Sequence, residues 1–343
     1  MKTLYYILLF VAALIFSTQF LVTRQYQRRN GTGFLSSVKL SLGAYFTIAL
    51  FFFIKGCITY KSFNFGFSTF TFLMTLLIAA VSLSCVYMGI RVLAVGDMSI
   101  YSVFMMLGSL ILPTFVGLVF YHESFGWIKG IAIALMLAAI VFSVTSSGKK
   151  VFTPKALICY IGIFIMNGMI GVLFTVHQNH PAQTVAAIAN ADGSFSVNND
   201  AFMTWYGLST VLLCGVLYAA VKIYDRLRRA KAGPAVPAPT ETPSAEAGAA
   251  CAASARKISA KEVCLIILLP VLYGLCNGLG DYFIALATQP GALGSSVTFP
   301  IINGGTILFS TIWGMILYKE KLRPGTIAAL VLVIVSTVLF MFA

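Results

Sequence analysis

The stretch "LYGLCNGLGDYFIAL", residues 272–286, sets one carboxylate among apolar residues. Asn277 and Asp281 stand four apart and share a face if the stretch is helical, so they can jointly hold a cation, a proton or an amine, with the Tyr282 hydroxyl next in the chain. A charge at the centre of a membrane helix costs at least about 2.5–3.5 kcal/mol, and intramembrane ionisable groups commonly mark a pathway. Burial disfavours bare charge, so Asp281 is expected to carry a proton or a bound cation. Two plainer readings stand beside this one. Gly274 and Gly278 form a Gly-x-x-x-Gly helix contact with Asn277 bonding to a neighbour, or the helix slides until Asp281 meets the headgroups.

Gln19, Asn167 and Asn303 are amides in the middle of other apolar stretches and join the candidate substrate or coupling-ion residues. The corresponding part of the first half offers Tyr87, Arg91, Asp97 and Tyr101. Arg91 and Asp97 flank a short turn and read as an interfacial ion pair, and the two tyrosines either line a site or simply pack. In "TFPIINGGTIL", Pro300 removes a backbone hydrogen bond and the paired glycines weaken the same helix, so an irregular stretch is predicted there. Such backbone is tolerated at membrane depth only where protein or a water-filled cavity satisfies it. Pro113 is its positional relative in the first half.

Other chemistries lack their residues. His177 and His180 have helical spacing without a third ligand in sequence, so no metal site is expected. Seven scattered cysteines with no Cys-x-x-Cys argue against a disulfide framework or a zinc site. No Gly-x-x-x-x-Gly-Lys-Ser/Thr loop is present, so active transport must draw on a gradient rather than on ATP. No cofactor is called for. Enzymatic activity would need a nucleophile–base set or clustered His and carboxylates within the spans, and only Asp281 lies deep, so a non-enzyme is expected.

The elements that must position these residues are membrane helices. The 343 residues are 59% hydrophobic and only 10% charged. Apolar stretches of about 20 residues recur, each able to cross a hydrocarbon layer of about 30 Å. They fall at about 3–23, 34–54, 68–90, 98–120, 127–146, 155–176, 202–222, 263–287, 293–317 and 325–342. The first is too long for a signal-peptide core, and no small-residue cleavage pattern precedes the basic residues after it, so it reads as a retained helix. The net charge of +13 sits at span ends, as in membrane anchoring, and does not indicate nucleic acid.

Two of the breaks resemble each other. "LVFYHESFGWIKG" (118–130) and "MILYKEKLRPGTI" (315–327) each end one apolar run and open the next around a Tyr-x-Glu core, Tyr121 to Glu123 and Tyr318 to Glu320. Aligning them superposes the last three spans of each half and divides the chain into 1–150 and 151–343, five spans each. Five is odd, so the second half starts on the opposite side of the membrane, and the repeats are inverted about an axis in the membrane plane. Glu123 and Glu320 then read as structural turn residues at the headgroups, with gating as the alternative.

All but four of the 23 Lys and Arg (Lys2, Lys55, Lys61 and Lys129) lie at the odd-numbered connections. The positive-inside rule therefore makes those connections cytoplasmic and places both termini outside. The connection between spans seven and eight, about 225–261, is Ala/Pro-rich and reads as a disordered cytoplasmic linker. The loop "HQNHPAQTVAAIANADGSFSVNND" has no Lys or Arg and is assigned outward.

With its ten spans in two five-helix halves and its "GLVFYHESFGWIKGIAIALMLAAIVF" and "GMILYKEKLRPGTIAALVLVIVSTVLF" ends, the chain resembles the drug/metabolite transporter superfamily, in particular its EamA-like members. The resemblance spans nearly the whole chain outside the two long loops, and its motifs bear on fold more than on substrate. It implies an all-α membrane fold, transport of a small organic solute, and both termini inside, against the charge count; it does not call for the Ala/Pro-rich linker. The expected function is a secondary transporter of the cell membrane, working by alternating access and driven by an ion or solute gradient. Its partners would be a small-molecule substrate, a proton or cation, and the lipid bilayer, with the chain a monomer or homodimer. A flippase for lipid-linked intermediates is the alternative, and a membrane-embedded enzyme a weaker one.

Overall fold

The structure is a computed structural model of the chain. It describes residues 2–31, 33–60, 66–95, 98–122, 124, 126–145, 154–181, 184–189, 195–231, 260–318 and 324–342. Among these residues it is almost entirely helical: α1 (Lys2–Asn30), α2 (Phe34–Tyr60), α3 (Thr69–Val95), α4 (Met98–Phe120), α5 (Trp127–Thr145), α6 (Pro154–Gln178), α7 (Asn199–Lys231), α8 (Ala260–Ala287), α9 (Ser295–Tyr318) and α10 (Pro324–Met341). A small antiparallel hairpin, β1 (Ala187–Ala189) and β2 (Phe195–Val197), precedes α7.

Seven of these helices are long and apolar enough to cross a membrane: α1, α2, α3, α6, α7, α8 and α9. The remaining three carry shorter apolar segments, at Phe104–Phe120, Trp127–Ala139 and Ile327–Phe340. The chain is a multi-pass membrane protein. Its large apolar residues point outward as well as inward, with Phe46, Ile58, Ile158, Leu212 and Val216 all exposed, because a lipid-facing surface has no water to avoid.

The main packing partners are α2 with α7, α4 with α6, α1 with α8, α5 with α10, α3 with α6, α1 with α9, α3 with α7, α2 with α8 and α4 with α9. Along α2 and α7, Lys55 meets Asp200, Tyr45 meets Tyr206, and Val38 clusters with Cys214, so these two helices run antiparallel. Between α5 and α10, Ser336 Oγ donates to the Ala132 carbonyl at 2.6 Å, while Ala139 clusters with Ala329; these two are antiparallel as well. The α4–α6 contact is close enough that a Cβ on Gly108 would collide with the Phe164 carbonyl of α6.

Two expectations change here. The helix break predicted at Pro300 is not one: α9 is continuous from Ser295 to Tyr318 through Pro300, Gly304 and Gly305. Pro300 falls in the second turn and removes a single internal bond. The glycines serve packing instead, since a Cβ on Gly304 would stand 2.5 Å from Thr337 Oγ1 of α10, and one on Gly305 2.7 Å from Ala13 Cβ of α1. Pro113 likewise lies inside a continuous α4, its ring 2.5 Å from where a Gly171 Cβ would be. Glu123 and Glu320 fall outside the described residues, as does Asp97. His122, beside Glu123, takes a left-handed conformation with φ 50° that turns the chain away from α4. Helix α7 continues to Lys231, into the predicted linker; residues 232–259 lie outside the description.

Candidate functional site

A cavity of about 100 Å³ lies among the helices. Its walls come from α1 to α4 and from α6 to α9, and α5 and α10 pack on each other away from it. Five of the sequence candidates line it: Gln19, Asn167, Asn277, Asp281 and Asn303. They come from α1, α6, α8 and α9, so folding collects amides that sequence could place only one per helix.

Asp281 is buried, and its Oδ2 accepts from Asn277 Nδ2 at 2.7 Å, the bond expected for residues one turn apart. Asn277 Oδ1 in turn accepts from Gln19 Nε2 of α1 at 3.0 Å. The Tyr273 side chain bonds to the same Gln19. Asn277 therefore bonds across to a neighbouring helix, as the helix-contact reading expected, and also donates to the carboxylate. The three glycines of α8 face helices: Gly274 lies against the Ala44 backbone of α2, Gly278 against Ile48 and Gly280 against Phe16.

On the α9 side, Asn303 Oδ1 accepts from Ser109 Oγ of α4 at 3.0 Å, while Asn303 Nδ2 and the Thr306 hydroxyl, both buried, have no hydrogen-bond partner. Asn167 Nδ2 donates to the Met105 carbonyl at 2.7 Å, tying α6 to α4. Unpaired polar groups inside a protein are costly, so these two, on residues of one cavity wall, call for a partner that the described residues do not supply.

Three candidates lie elsewhere. Tyr87 packs edge-on against Phe34, with Arg91 5.3 Å above its ring. Tyr101 is buried against Phe20 and Gly89. Tyr282 turns away from the cavity and accepts from Lys55 Nζ at 2.9 Å. Lys55 also donates to both carboxylate oxygens of Asp200, at 2.6 and 2.8 Å. Asp200 sits in the first turn of α7, where free N–H groups favour a negative charge, and Asn198 caps that helix by accepting from the Ala201 N–H at 2.9 Å. This cluster ties α2, α7 and α8 together near one end of the bundle. His177 and His180 belong to the same end: His177 Nε2 meets Thr71 Oγ1 at 3.0 Å, and both rings lie beside Phe70.

Sequence reasoning missed the tyrosines of the cavity. Tyr206 bonds to Tyr45 at 2.8 Å and to Ser82 at 2.7 Å, joining α7, α2 and α3. Aromatic residues are common in membrane helices, and nothing in their spacing marks these as lining. The Lys55–Asp200 pair was equally hidden, its partners 145 residues apart.

No protein-family model matches the chain, and no curated protein matches it in sequence. The fold does occur among solved structures. One of these, designated "Crystal structure of protein", aligns over 100% of this chain and 98% of its own at 11% identity, with a TM-score of 0.65. That is a likeness of fold alone.

Proposed function

We propose that the chain is a secondary transporter of the drug/metabolite, EamA-like type, in which two inverted five-helix halves alternate around the Asp281 cavity. The observation that carries this reading is how the cavity is walled: the first four helices of α1–α5 and the first four of α6–α10 line it, and the fifth of each stands outside. The packing supports the same division. Exchanging each helix for the one five places along turns α1–α8 into α6–α3, α4–α6 into α9–α1 and α3–α7 into α8–α2, all principal contacts, and leaves α2–α7, α4–α9 and α5–α10 as self-related pairs. Self-related helices that run antiparallel, as α2–α7 and α5–α10 do, fit an axis in the membrane plane rather than along its normal. Ten crossings then place α4, α5 and α10 in the membrane as well, and the charge count turns the end bearing the hairpin and the Lys55–Asp200 pair outward.

A cavity with one carboxylate, amides and hydroxyls has the makings of a binding site. Its described lining lacks a nucleophile–base pair, which favours a carrier over a membrane-embedded enzyme. Asp281 takes the proton or cation, and the Lys55–Asp200–Tyr282 cluster joins helices of both halves on the outer side, where a closed gate must do so.

Alternating access is tested with a single cysteine at Ser109→Cys, on the cavity wall, in a chain whose seven native cysteines are replaced. A membrane-impermeant maleimide is expected to reach it from either side of oriented vesicles. Modification from one side only overturns the transporter reading.

A further inference from the structure

The chemistry of the cavity narrows what it can hold. Asp281 is the one charged group among its described lining residues, which include no Lys, Arg or His. A ligand carrying a full negative charge would have only neutral donors to meet it, while facing a carboxylate; one with two positive charges would leave the second unpaired in a low-dielectric site. The matching ligand bears a single positive charge.

A second demand comes from α9. Asn303 Nδ2 and Thr306 Oγ1 are one helical turn apart, 3% and 1% exposed, and lack any partner while lining the cavity. An amide N–H can only donate, so it calls for an acceptor, and in a low-dielectric cavity that already holds a carboxylate a neutral oxygen suits it better than a second anion. Helix α1 packs against both α8 and α9, and its Phe16 and Gln19 line the same cavity as Asp281, Asn303 and Thr306. The remaining walls are largely apolar and aromatic, with Phe20, Phe174 and Phe299 among them, and suit a hydrocarbon body.

We propose that this cavity binds a small, singly charged primary amine that also carries a neutral oxygen, an amino amide or amino alcohol with an apolar side chain, with the ammonium on Asp281 and the oxygen on Asn303 and Thr306. This rests on reading the cavity as the solute site. It assigns discrimination to two separate walls: α8 selects for the amine and α9 for the oxygen.

The full chain in lipid nanodiscs is titrated with four matched probes: leucinamide, 3-methylbutylamine (no amide), 4-methylpentanamide (no amine) and free leucine. Leucinamide is expected to bind at least tenfold more tightly than each of the other three. Thr306→Val, close in shape, is expected to weaken leucinamide about three- to tenfold and leave 3-methylbutylamine unchanged. Asp281→Asn is expected to remove the advantage of leucinamide over 4-methylpentanamide. The proposal is overturned if free leucine or 4-methylpentanamide binds as tightly as leucinamide, if Thr306→Val weakens both amines alike, or if none of the four binds. Because the wild-type series alone can overturn it, a poorly folding variant does not shelter it. Two-sided labelling at position 109 does not depend on these probes, so a failed ligand assignment is distinguishable from a failed transporter reading.

Discussion

Asp281 is held by one amide, and that amide is held by another. In the chain Gln19 to Asn277 to Asp281, each link is a hydrogen bond of 2.7 to 3.0 Å inside the bundle. Removing the titratable group without changing its shape should therefore separate function from folding. Asp281→Asn is expected to abolish gradient-driven transport and its dependence on pH in proteoliposomes, with the melting temperature retained. Normal transport with unchanged pH dependence would make the aspartate structural. Asn277→Ala removes bonds in both directions. The bond to Asp281 is the one that bears on the ligand, and at roughly 0.5–1.5 kcal/mol its loss should weaken substrate affinity by about two- to tenfold while transport persists.

Helix contacts in this protein depend on the absence of side chains as much as on their presence. Without a hydrophobic drive between helices in lipid, close backbone approach supplies much of the attraction. Gly108 is the sharpest case, because the Phe164 backbone occupies the space a methyl group would need, and backbone cannot rotate aside. Gly108→Ala should lower stability by about 1–3 kcal/mol, the usual cost of overpacking, seen as a falling melting temperature. Gly215, in the interior of α7, has nothing within 4 Å of its absent Cβ. Gly215→Ala should be neutral or stabilising by about 0.5–1 kcal/mol, because alanine loses less backbone freedom in a helix. If both substitutions behave alike, the α4–α6 contact is looser than described.

For the molecule as a whole, the Lys55–Asp200–Tyr282 cluster fastens α2 and α7, which belong to different halves in the proposed division, at the end read as outer. Lys55 is 33% exposed on its side chain and Asp200 1%, so the two ends of the pair are not equivalent. Asp200→Asn leaves a cation that can reach solvent and should cost under about 1 kcal/mol. Lys55→Met strands a buried carboxylate. The N–H groups of the first turn of α7 offset part of that, so the loss should be about 1–3 kcal/mol rather than the 3–5 typical of a broken buried pair. Both variants should speed maleimide labelling of Ser109→Cys from outside and slow it from inside. An unchanged ratio would mean that the pair braces the fold without gating it.

Some of this was open to a reader of the sequence, because membrane physics writes itself into composition. A helix that crosses hydrocarbon must be apolar along most of its length, so most helices announce themselves within a few residues of their observed bounds. Local spacing was equally informative: Asn277 and Asp281 sit one turn apart, and their bond follows from helix geometry alone. Pro300 and the two glycines beyond it misled, because the same residues that weaken an isolated helix also permit close packing, and only neighbouring helices decide which effect counts. What the tertiary structure decided is everything that depends on which helix meets which. Gln19 reaches Asn277 across 258 residues, Tyr45 reaches Tyr206 across 161, and Tyr282 leaves the cavity for Lys55 across 227. Hydropathy sets that a helix is buried in lipid or protein but carries no record of its rotation about its own axis, and that rotation, fixed by packing, determines which polar side chains face a common cavity.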